Sequence, residues 1–278
     1  EPVCPFCLGR EKDEEELYRV GGQKGDAGWQ IRVLPNKFPF APVHEVIVHS
    51  PDHHKSFDEL PMSQTQLILQ TYRQRFQTHQ SQGQVYIFHN HGEGGGESLP
   101  HPHTQLVVIP NDVKMDLPRL DPSAYSGIGP SPLDESTSQS QPQEQPKVET
   151  MHFYLFCPRT SQWPDEVWIA PKTRGRNFAE ITDGEISDLS QTLVRLIHIL
   201  DLRHGHEFPY NFYIYPGGDW YLRLIPRQKA LGGFEIGTGI FVNTQDPLDA
   251  IRFIKEHFEH PDDEKIKREN QADYSRSV

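Results

Sequence analysis

Apolar residues recur along this chain with two different periods, and together these periods predict strands and a helix in a fixed order. Short apolar runs predict strands at HEVIVHS (44–50), QVYIFHN (84–90) and TQLVVI (104–109). After the first of these strands, apolar residues three and four positions apart in SQTQLILQTYRQRFQTH (63–79) predict a helix. The first part of the chain is therefore predicted to run strand, helix, strand, strand.

The later part of the chain repeats this pattern. Its apolar runs predict two strands, a helix at 183–201 and two more strands, and the strand segments are HFYLFCP (152–158), EVWIAPK (166–172), YNFYIYP (210–216) and WYLRLIP (220–226). A last helix is predicted at DPLDAIRFIKEHF (246–258). Because the pattern occurs twice, we expect an α+β fold built from two duplicated units.

The stretch between the two parts has a different composition. Residues 112–150 are rich in Ser, Pro and Gln and nearly lack apolar periodicity. Such a segment cannot bury enough apolar surface to order itself, so we predict a disordered linker. The chain is thus predicted to contain a first unit at 1–111, the linker at 112–150 and a second unit at 151–278.

Composition narrows the class of protein. The 278 residues are 35% hydrophobic, which is low for a globular protein but sufficient for one large core or two modest ones. The net charge of -12 argues against a nucleic-acid-binding protein, because a surface for phosphate backbones needs a basic excess. No apolar run approaches the ~20 residues that span a bilayer, and the start lacks the features of a signal peptide. We therefore expect a cytoplasmic protein without membrane or nucleic-acid partners.

Candidate chemistry is concentrated in ESLPHPHTQLVVIP (97–110). If residues 99–109 are extended, side chains alternate, and His101, His103 and Gln105 lie on one face. Two solvated histidines beside a turn would give the same spacing. The glycine-rich HGEGGGES (91–98) lies immediately upstream, and glycines allow backbone amides to approach an anion closely. The pattern favours a ligand site without identifying the ligand.

Cys4 and Cys7 form a CPFC motif, which suits either a redox pair or a metal knuckle. A redox motif would open a helix after a buried strand, and only three residues precede Cys4. A zinc knuckle needs only a tight turn, and two imidazoles would complete a tetrahedral site. Candidate imidazoles include His53 and His54, which follow SPD on a predicted turn, but the CxxC spacing alone does not select its partners. The third cysteine, Cys157, is interpreted as an ordinary strand residue.

Five segments in order resemble one known family. The segments are CPFC (4–7), RVLPNKFPF (32–40), HEVIVHSPDHHKSFDEL (44–60), IFHNHGEGGGESLPHPHTQ (87–105) and GGFEIGTGIFVN (232–243). They resemble the galactose-1-phosphate uridylyltransferase branch of the histidine-triad superfamily, which includes ADP-glucose phosphorylases. The resemblance runs from Cys4 to about His257, apart from the predicted linker. It implies two histidine-triad-like units, each an antiparallel sheet with packed helices.

The resemblance also implies roles for particular residues. His103 corresponds to the family's nucleophile, which attacks the α-phosphorus of a nucleotide sugar, and Gln105 corresponds to a second catalytic residue. A Zn2+ cofactor is implied, with the ligands Cys4, Cys7, His53 and His101. The implied substrate contacts are Asn36, Asn90, Gly96, Glu97 and Ser98, together with Phe234 and Glu235 supplied by the neighbouring subunit. The family resemblance therefore predicts a homodimer.

The second unit departs from the family pattern. Tyr221 stands where a histidine is expected ahead of IPR, and Arg174 replaces the histidine of the family's PKxH. We therefore expect this unit to be catalytically silent and to lack the second metal, iron, of some relatives.

The predicted function is nucleotidyl transfer between a nucleotide sugar and a hexose 1-phosphate, through a nucleotidyl-histidine intermediate, as in a UDP-glucose:hexose-1-phosphate uridylyltransferase. One alternative is an ADP-sugar or dinucleotide phosphorylase that uses inorganic phosphate. The other alternative is a nucleotide-binding protein without turnover.

Overall fold

Ten strands of the described chain pair into one antiparallel sheet. The computed structural model describes residues 4–120, 146–205, 208–259 and 262. The strands are β1 (Tyr18–Val20), β2 (Ile31–Pro35), β3 (Val43–Val48), β4 (Gln84–His91), β5 (His103–Ile109), β6 (Val148–Glu149), β7 (Phe153–Phe156), β8 (Val167–Pro171), β9 (Tyr210–Ile214) and β10 (Leu222–Pro226). The α-helices in the same residues are α1 (Met62–His79), α2 (Asp183–His204), α3 (Gly233–Thr238) and α4 (Pro247–Glu259).

The order of the strands shows two copies of one unit. Across the sheet the order is β1-β2-β3-β5-β4-β9-β10-β8-β7-β6. From its edge of the sheet to the centre, each unit places its first, second and third strands in chain order. Its fifth strand comes next, and its fourth strand lies at the centre. The units meet where β4 pairs with β9. The predicted α+β fold with antiparallel units and packed helices is thereby confirmed, and both units share one continuous sheet.

An approximate two-fold axis passes between Phe88 and Tyr213. These residues pair with each other across the central seam between β4 and β9. On its other side, Phe88 pairs with Gln105 of β5, and Tyr213 pairs with Arg223 of β10. Gln105 and Arg223 therefore occupy equivalent places in the two units.

Helices cover one face of the sheet. Residues of α1, α2 and α4 join one buried apolar cluster with strand residues from both units. The start of α2 is fixed by a capping box, in which Glu185 N–H donates to the Thr182 hydroxyl at 3.2 Å and Thr182 N–H donates to Glu185 Oε2 at 2.8 Å. The opposite face carries smaller apolar clusters around Phe6 and Leu120. This second face also carries the predicted site residues of β5.

The strand that contains His103 begins later than predicted. β5 starts at His103, whereas an extended run from residue 99 was expected. Alternation along β5 still explains why His103 and Gln105 share a face. His101 precedes the strand, so the turn before β5 determines its position.

Strands β1 and β6 and helix α3 are too short to produce a recognisable period, with 3, 2 and 6 residues. Strand β2, with the sequence IRVLP, was also missed. Most of the predicted linker at 112–150 lies outside the described residues. Its described ends are folded: Leu120 is 7% exposed in an apolar cluster on the sheet, and Val148, 4% exposed, belongs to strand β6. Within the described residues, no helix is long and apolar enough to cross a membrane.

Candidate functional site

His103 opens β5 with its imidazole held by the main chain. Its Nδ1 lies 2.9 Å from the carbonyl oxygen of His101 and donates a hydrogen to it. A neutral imidazole has one N–H, so Nε2 of His103 carries the lone pair. Burial lowers the pKa of His103, which favours this neutral form. Nε2 is therefore available as a nucleophile or as a hydrogen-bond acceptor.

Four predicted metal ligands come together beside His103. Cys4, Cys7, His53 and His101 each place one ligand atom within 4.8 Å of the others. Cys7 Sγ lies 3.1 Å from His53 Nδ1, and His101 Nδ1 lies 3.7 Å from each of the two sulfurs. Thiolate and imidazole ligands of a tetrahedral zinc ion lie about 3.5 Å apart. The four side chains therefore fit a tetrahedral cation.

The surroundings of His101 leave the correct nitrogen available for a metal. Nε2 of His101 donates to the carbonyl oxygen of Ser50 at 2.8 Å, so Nδ1 carries the lone pair. Burial lowers the pKa of His101 to about 4, which keeps the ring neutral. Burial and the neighbouring Cys4 raise the pKa of the Cys7 thiol. A bound cation would oppose that rise, because it stabilises the thiolate form.

Gln105 meets Asn36 and His44 on the face of the sheet that carries His103. Its Oε1 lies 2.7 Å from His44 Nε2 and 3.4 Å from Asn36 Nδ2. The Asn36 side chain is oriented by the N–H of Phe38, which donates to its Oδ1 at 2.9 Å. The structure thus brings together two predicted residues, Asn36 and Gln105. Sequence reasoning missed His44, whose only signal was its place at the start of a predicted strand.

The glycine-rich loop between β4 and β5 is tightly folded. Gly96, a predicted substrate contact, has a φ of 81°, in the left-handed region that favours glycine. A Cβ added to Gly95 would lie 2.9 Å from the carbonyl oxygen of Tyr210. Glu97 braces the loop, since its Oε2 accepts the N–H of Gly92 at 2.9 Å. The loop therefore needs glycine for both its conformation and its close approach to β9.

The second unit contacts this loop across the seam. Asn211 of β9 donates to Asn90 Oδ1 at 2.8 Å and to the carbonyl oxygen of Gly95 at 2.7 Å. The side-chain oxygen of Asn211 accepts from Arg227 Nη1 at 2.9 Å. The Arg227 guanidinium lies 4.6 Å from the ring centroid of Trp163. Sequence reasoning missed Asn211 and Arg227, because no local pattern shows that β4 pairs with β9.

A buried polar cluster supports the strand behind His103. His89 Nδ1 donates to the carbonyl oxygen of His103 at 2.8 Å. The Thr104 hydroxyl lies 2.8 Å from His49 Nε2 and 2.5 Å from the Tyr72 hydroxyl. Burial lowers the pKa of His49 and His89 well below the usual value, so both rings are neutral near pH ~7. These groups hold the main chain of β5 from the helix-covered side.

The equivalent place in the second unit is filled by aromatic rings. Tyr221, the counterpart of His103, stacks on Trp168 at a centroid distance of 4.3 Å and on Tyr215 at 5.1 Å. The Tyr221 hydroxyl donates to the carbonyl oxygen of Pro118. A phenol that stacks on two rings and is hydrogen-bonded has no nucleophilic nitrogen to offer. That the second unit is catalytically silent remains a prediction.

The charged residues of that region form ion pairs. Arg223, the counterpart of Gln105, donates to the buried Glu166 at 2.7 Å. Arg174 Nε donates to Asp219 Oδ1 at 2.9 Å, and Asp219 lies two residues before Tyr221 as His101 lies before His103. The pair of Arg174 with Asp219 thus stands where His101 lies in the first unit, and the pair of Arg223 with Glu166 stands where Gln105 lies.

Three other predicted substrate contacts lie outside the cluster around Gln105. Ser98 is exposed in the glycine-rich loop. Phe234 and Glu235 belong to α3, where Phe234 is 55% exposed and Glu235 is 8% exposed. The Glu235 carboxylate accepts from Lys229 Nζ and from the Gly232 N–H, both at 3.1 Å. The contacts of Glu235 are therefore local.

Comparison with known proteins extends these observations. Residues 41–108 match the family described as galactose-1-phosphate uridyl transferase, N-terminal domain. ADP-glucose phosphorylase from Arabidopsis thaliana is 27% identical over 292 residues, which cover 91% of this chain and 81% of that protein. Galactose-1-phosphate uridylyltransferase from Thermotoga maritima is 26% identical over 286 residues, which cover 91% and 89%. The X-ray structure of a galt-like protein from Arabidopsis thaliana has a TM-score of 0.73 at 26% identity, with 92% of each chain covered.

The fold resembles that of histidine-triad-like proteins, and its two units share one sheet. Within that class, the resemblance to the galactose-1-phosphate uridylyltransferase family, first indicated by the motifs, is confirmed by the matched residues and by relatives that align with 91% of the chain.

Proposed function

We propose that the protein is a nucleotidyltransferase that moves a nucleoside monophosphate between a nucleotide sugar and a hexose 1-phosphate. The proposed intermediate is a nucleotidyl group on His103. The observation that carries the proposal is the 2.9 Å hydrogen bond from His103 Nδ1 to the carbonyl oxygen of His101, which leaves Nε2 as the nucleophile. The relatives support it, because they are named as a uridylyltransferase and a phosphorylase of nucleotide sugars.

The proposed reaction has two displacements at one phosphorus atom. His103 Nε2 first forms a bond to the α-phosphorus, and the bond from this phosphorus to the bridging oxygen breaks. The electron pair leaves with that oxygen, so the sugar 1-phosphate departs. The ring then carries a positive charge, which the carbonyl oxygen of His101 stabilises through Nδ1–H. An oxygen of the acceptor phosphate next attacks the phosphorus, the P–N bond breaks and the neutral ring returns.

Polar groups near His103 are suited to hold the phosphoryl oxygens. The N–H groups of Gly95, Gly96 and Glu97 donate to carbonyl oxygens within the glycine-rich loop. We therefore assign the Gln105 carboxamide and the backbone amides of Gly94 and Ser98 to the nonbridging oxygens, where negative charge develops. An amide donor stabilises this charge without offering a proton that would compete for the imidazole. The proposed contacts to the rest of the nucleotide and its phosphates are Asn36, Asn90, Gly96, Glu97 and Ser98.

The four-residue cluster is the proposed zinc site. Two thiolates and two imidazoles are a donor set that zinc prefers, and the distances among Cys4, Cys7, His53 and His101 fit it. Bound zinc would supply structural support and no Lewis acidity at the phosphorus, since it would hold His101, whose carbonyl oxygen orients His103. Free thiols at Cys4 and Cys7 fit a reducing compartment, so we propose a cytoplasmic location.

A phosphorylase is the second candidate. It would form the same intermediate and discharge it onto inorganic phosphate. The Arabidopsis ADP-glucose phosphorylase, at 27% identity, is as similar to the chain as the Thermotoga transferase, at 26%. A nucleotide-binding protein without turnover is disfavoured, because His103 and Gln105 are both present.

Labelling separates these functions. UDP-, ADP- and GDP-sugars labelled in the α-phosphate should, without an acceptor, leave a base-stable and acid-labile phosphoramidate on the protein and release sugar 1-phosphate. Hexose 1-phosphate or inorganic phosphate is then added to the labelled protein. Discharge by the first identifies a transferase, and discharge by the second identifies a phosphorylase. Binding of a nucleotide sugar without any label would favour the non-catalytic alternative.

A further inference from the structure

His44 and Gln105 are joined by a hydrogen bond between adjacent strands. His44 Nε2 on β3 lies 2.7 Å from Gln105 Oε1 on β5, although the residues are 61 positions apart in sequence. His44 is 6% exposed, and its ring packs edge-on against Phe40 at a centroid distance of 4.3 Å. The imidazole is therefore held in place by packing as well as by the hydrogen bond.

The surroundings of His44 determine which nitrogen carries its hydrogen. Burial lowers the pKa of His44, so the ring is neutral and has one N–H. Nδ1 is buried and has no hydrogen-bond partner among the described residues. A buried N–H without an acceptor is rarer than a buried acceptor without a donor. The hydrogen therefore lies on Nε2 and is donated to Gln105 Oε1.

Asn36 acts on the same oxygen. Its Nδ2 lies 3.0 Å from His44 Nε2 and 3.4 Å from Gln105 Oε1. Asn36 Nδ2 and His44 Nε2 both carry hydrogen, so they do not hydrogen-bond to each other. Asn36 Nδ2 therefore donates to Gln105 Oε1. Two donors thus converge on one end of the Gln105 carboxamide.

We propose that His44 is a positioning residue that fixes which end of the Gln105 carboxamide faces the phosphoryl group. A carboxamide has one donor end and one acceptor end, which a flip exchanges. With Oε1 engaged by His44, the NH2 group is left to donate to a phosphoryl oxygen. The flipped side chain would direct an oxygen at an anion. This inference rests on the proposed function and adds a residue to the same site.

Two substitutions separate the hydrogen bond from packing. His44→Gln places an amide donor near the position of Nε2, whereas His44→Phe fills the space without a donor. In substrate-free protein, the 15N side-chain amide resonances of Gln105 are identified by their loss in Gln105→Ala. They should shift in His44→Phe and remain near their wild-type positions in His44→Gln. Unchanged resonances in His44→Phe would overturn the proposal without any measurement of catalysis.

Turnover tests whether His44 acts through Gln105. His44→Phe should lower kcat about tenfold with little change in KM or zinc content, and His44→Gln should stay within about threefold of wild type. In a Gln105→Ala background, His44→Phe should change kcat by less than about twofold. If His44→Phe still lowered kcat about tenfold in the Gln105→Ala background, the proposal would be overturned. Absence of label on wild-type His103 would instead refute the proposed function, and the amide resonances would still decide whether His44 orients Gln105.

Discussion

The main-chain carbonyl oxygen of His101 accepts the Nδ1–H of His103 at 2.9 Å, while the imidazole of His101 belongs to the four-residue metal cluster. One residue thus connects the cluster to the proposed nucleophile. Loss of the cluster should disturb the orientation of His103, whereas loss of the His103 ring should leave the cluster intact. Substitution of the two histidines should therefore separate metal binding from chemistry.

His103→Asn should abolish labelling by an α-phosphate-labelled nucleotide sugar and lower transfer by several orders of magnitude, because the nucleophilic nitrogen is lost. Its zinc content and melting temperature should remain near wild type. His101→Asn should lower the zinc content and the labelling together. Metal analysis and labelling of the same preparations measure the zinc content and the labelling of both variants. Near-normal turnover in His103→Asn, or label on another residue, would show that the nucleophile is assigned wrongly.

The protein should contain about one zinc ion per chain, and removal of the metal should lower its melting temperature. The physical reason is that the cluster joins the segment 4–7 to His53 and His101, which are far apart in sequence. Chelation and Cys4→Ser should both have this effect. His54→Asn is the matched control, because His54 is the exposed neighbour of His53 and lies outside the cluster. Metal-free protein in which Cys4 and Cys7 cycle as a dithiol would favour a redox role.

Asn211→Ala should raise the KM for the nucleotide sugar. It removes the donor for Asn90 Oδ1 and for the Gly95 carbonyl oxygen, which should loosen the glycine-rich loop by about 1–3 kcal/mol. Faster hydrogen exchange of the amides at 92–97 should accompany the change in KM. Tyr221→Phe is the control, since it keeps the ring stack of the second unit and should leave transfer at the wild-type rate. Normal kinetics and exchange in Asn211→Ala would show that the loop does not depend on the seam.

We expect a homodimer in which α3 completes the partner's site. The exposed apolar residues Phe234 and Ile236, at 55% and 71%, are consistent with an interface on this helix. Glu235→Ala and His103→Ala should each be inactive alone. After mixing and subunit exchange, about a quarter of wild-type activity should return, because half of the dimers are mixed and each has one intact site. No recovery in a mixture shown to exchange subunits would contradict shared sites.

Unfolding should depend on pH through the buried His89. Its pKa in the folded protein lies below the usual 6.5, because of burial and then of the neighbouring His91. The unfolded chain therefore binds a proton that the folded chain does not. The contribution of neutral His89 to the free energy of unfolding is complete above pH ~6.5. It is lost progressively as the pH falls below that value.

His89→Asn isolates this effect, because it removes the titrating ring and keeps a donor for the carbonyl oxygen of His103. Below pH ~6.5 its unfolding free energy should fall less steeply than that of wild type, by up to about 1.4 kcal/mol per pH unit. Denaturant unfolding of both zinc-loaded proteins between pH ~5 and pH ~8 measures the slopes. Equal slopes would mean that His89 has an ordinary pKa.

The sequence indicated the chemical groups of the site better than their neighbours. Local spacing was sufficient to predict that His103 and Gln105 share a face, because both lie on one strand. The motifs also indicated, through the family resemblance, the four residues of the cluster that could hold a metal. The contact of His44 with Gln105 and that of Asn211 with Asn90 could not be predicted in this way. Each depends on which strands are adjacent in the sheet, and a hydrophobic period identifies a strand without identifying its neighbours.

The pairing of Phe88 with Tyr213 has a consequence for the history of the chain. Since β4 and β9 are equivalent strands that pair antiparallel, their contact is self-complementary, as in a symmetric dimer. A single unit would expose the edge of β4, and that edge would tend to associate with a second copy. Fusion of the two copies into one chain makes this association permanent, so the two copies no longer need the same sequence. One copy can then carry Tyr221 in the place of a histidine and still protect the edge of the copy that carries His103.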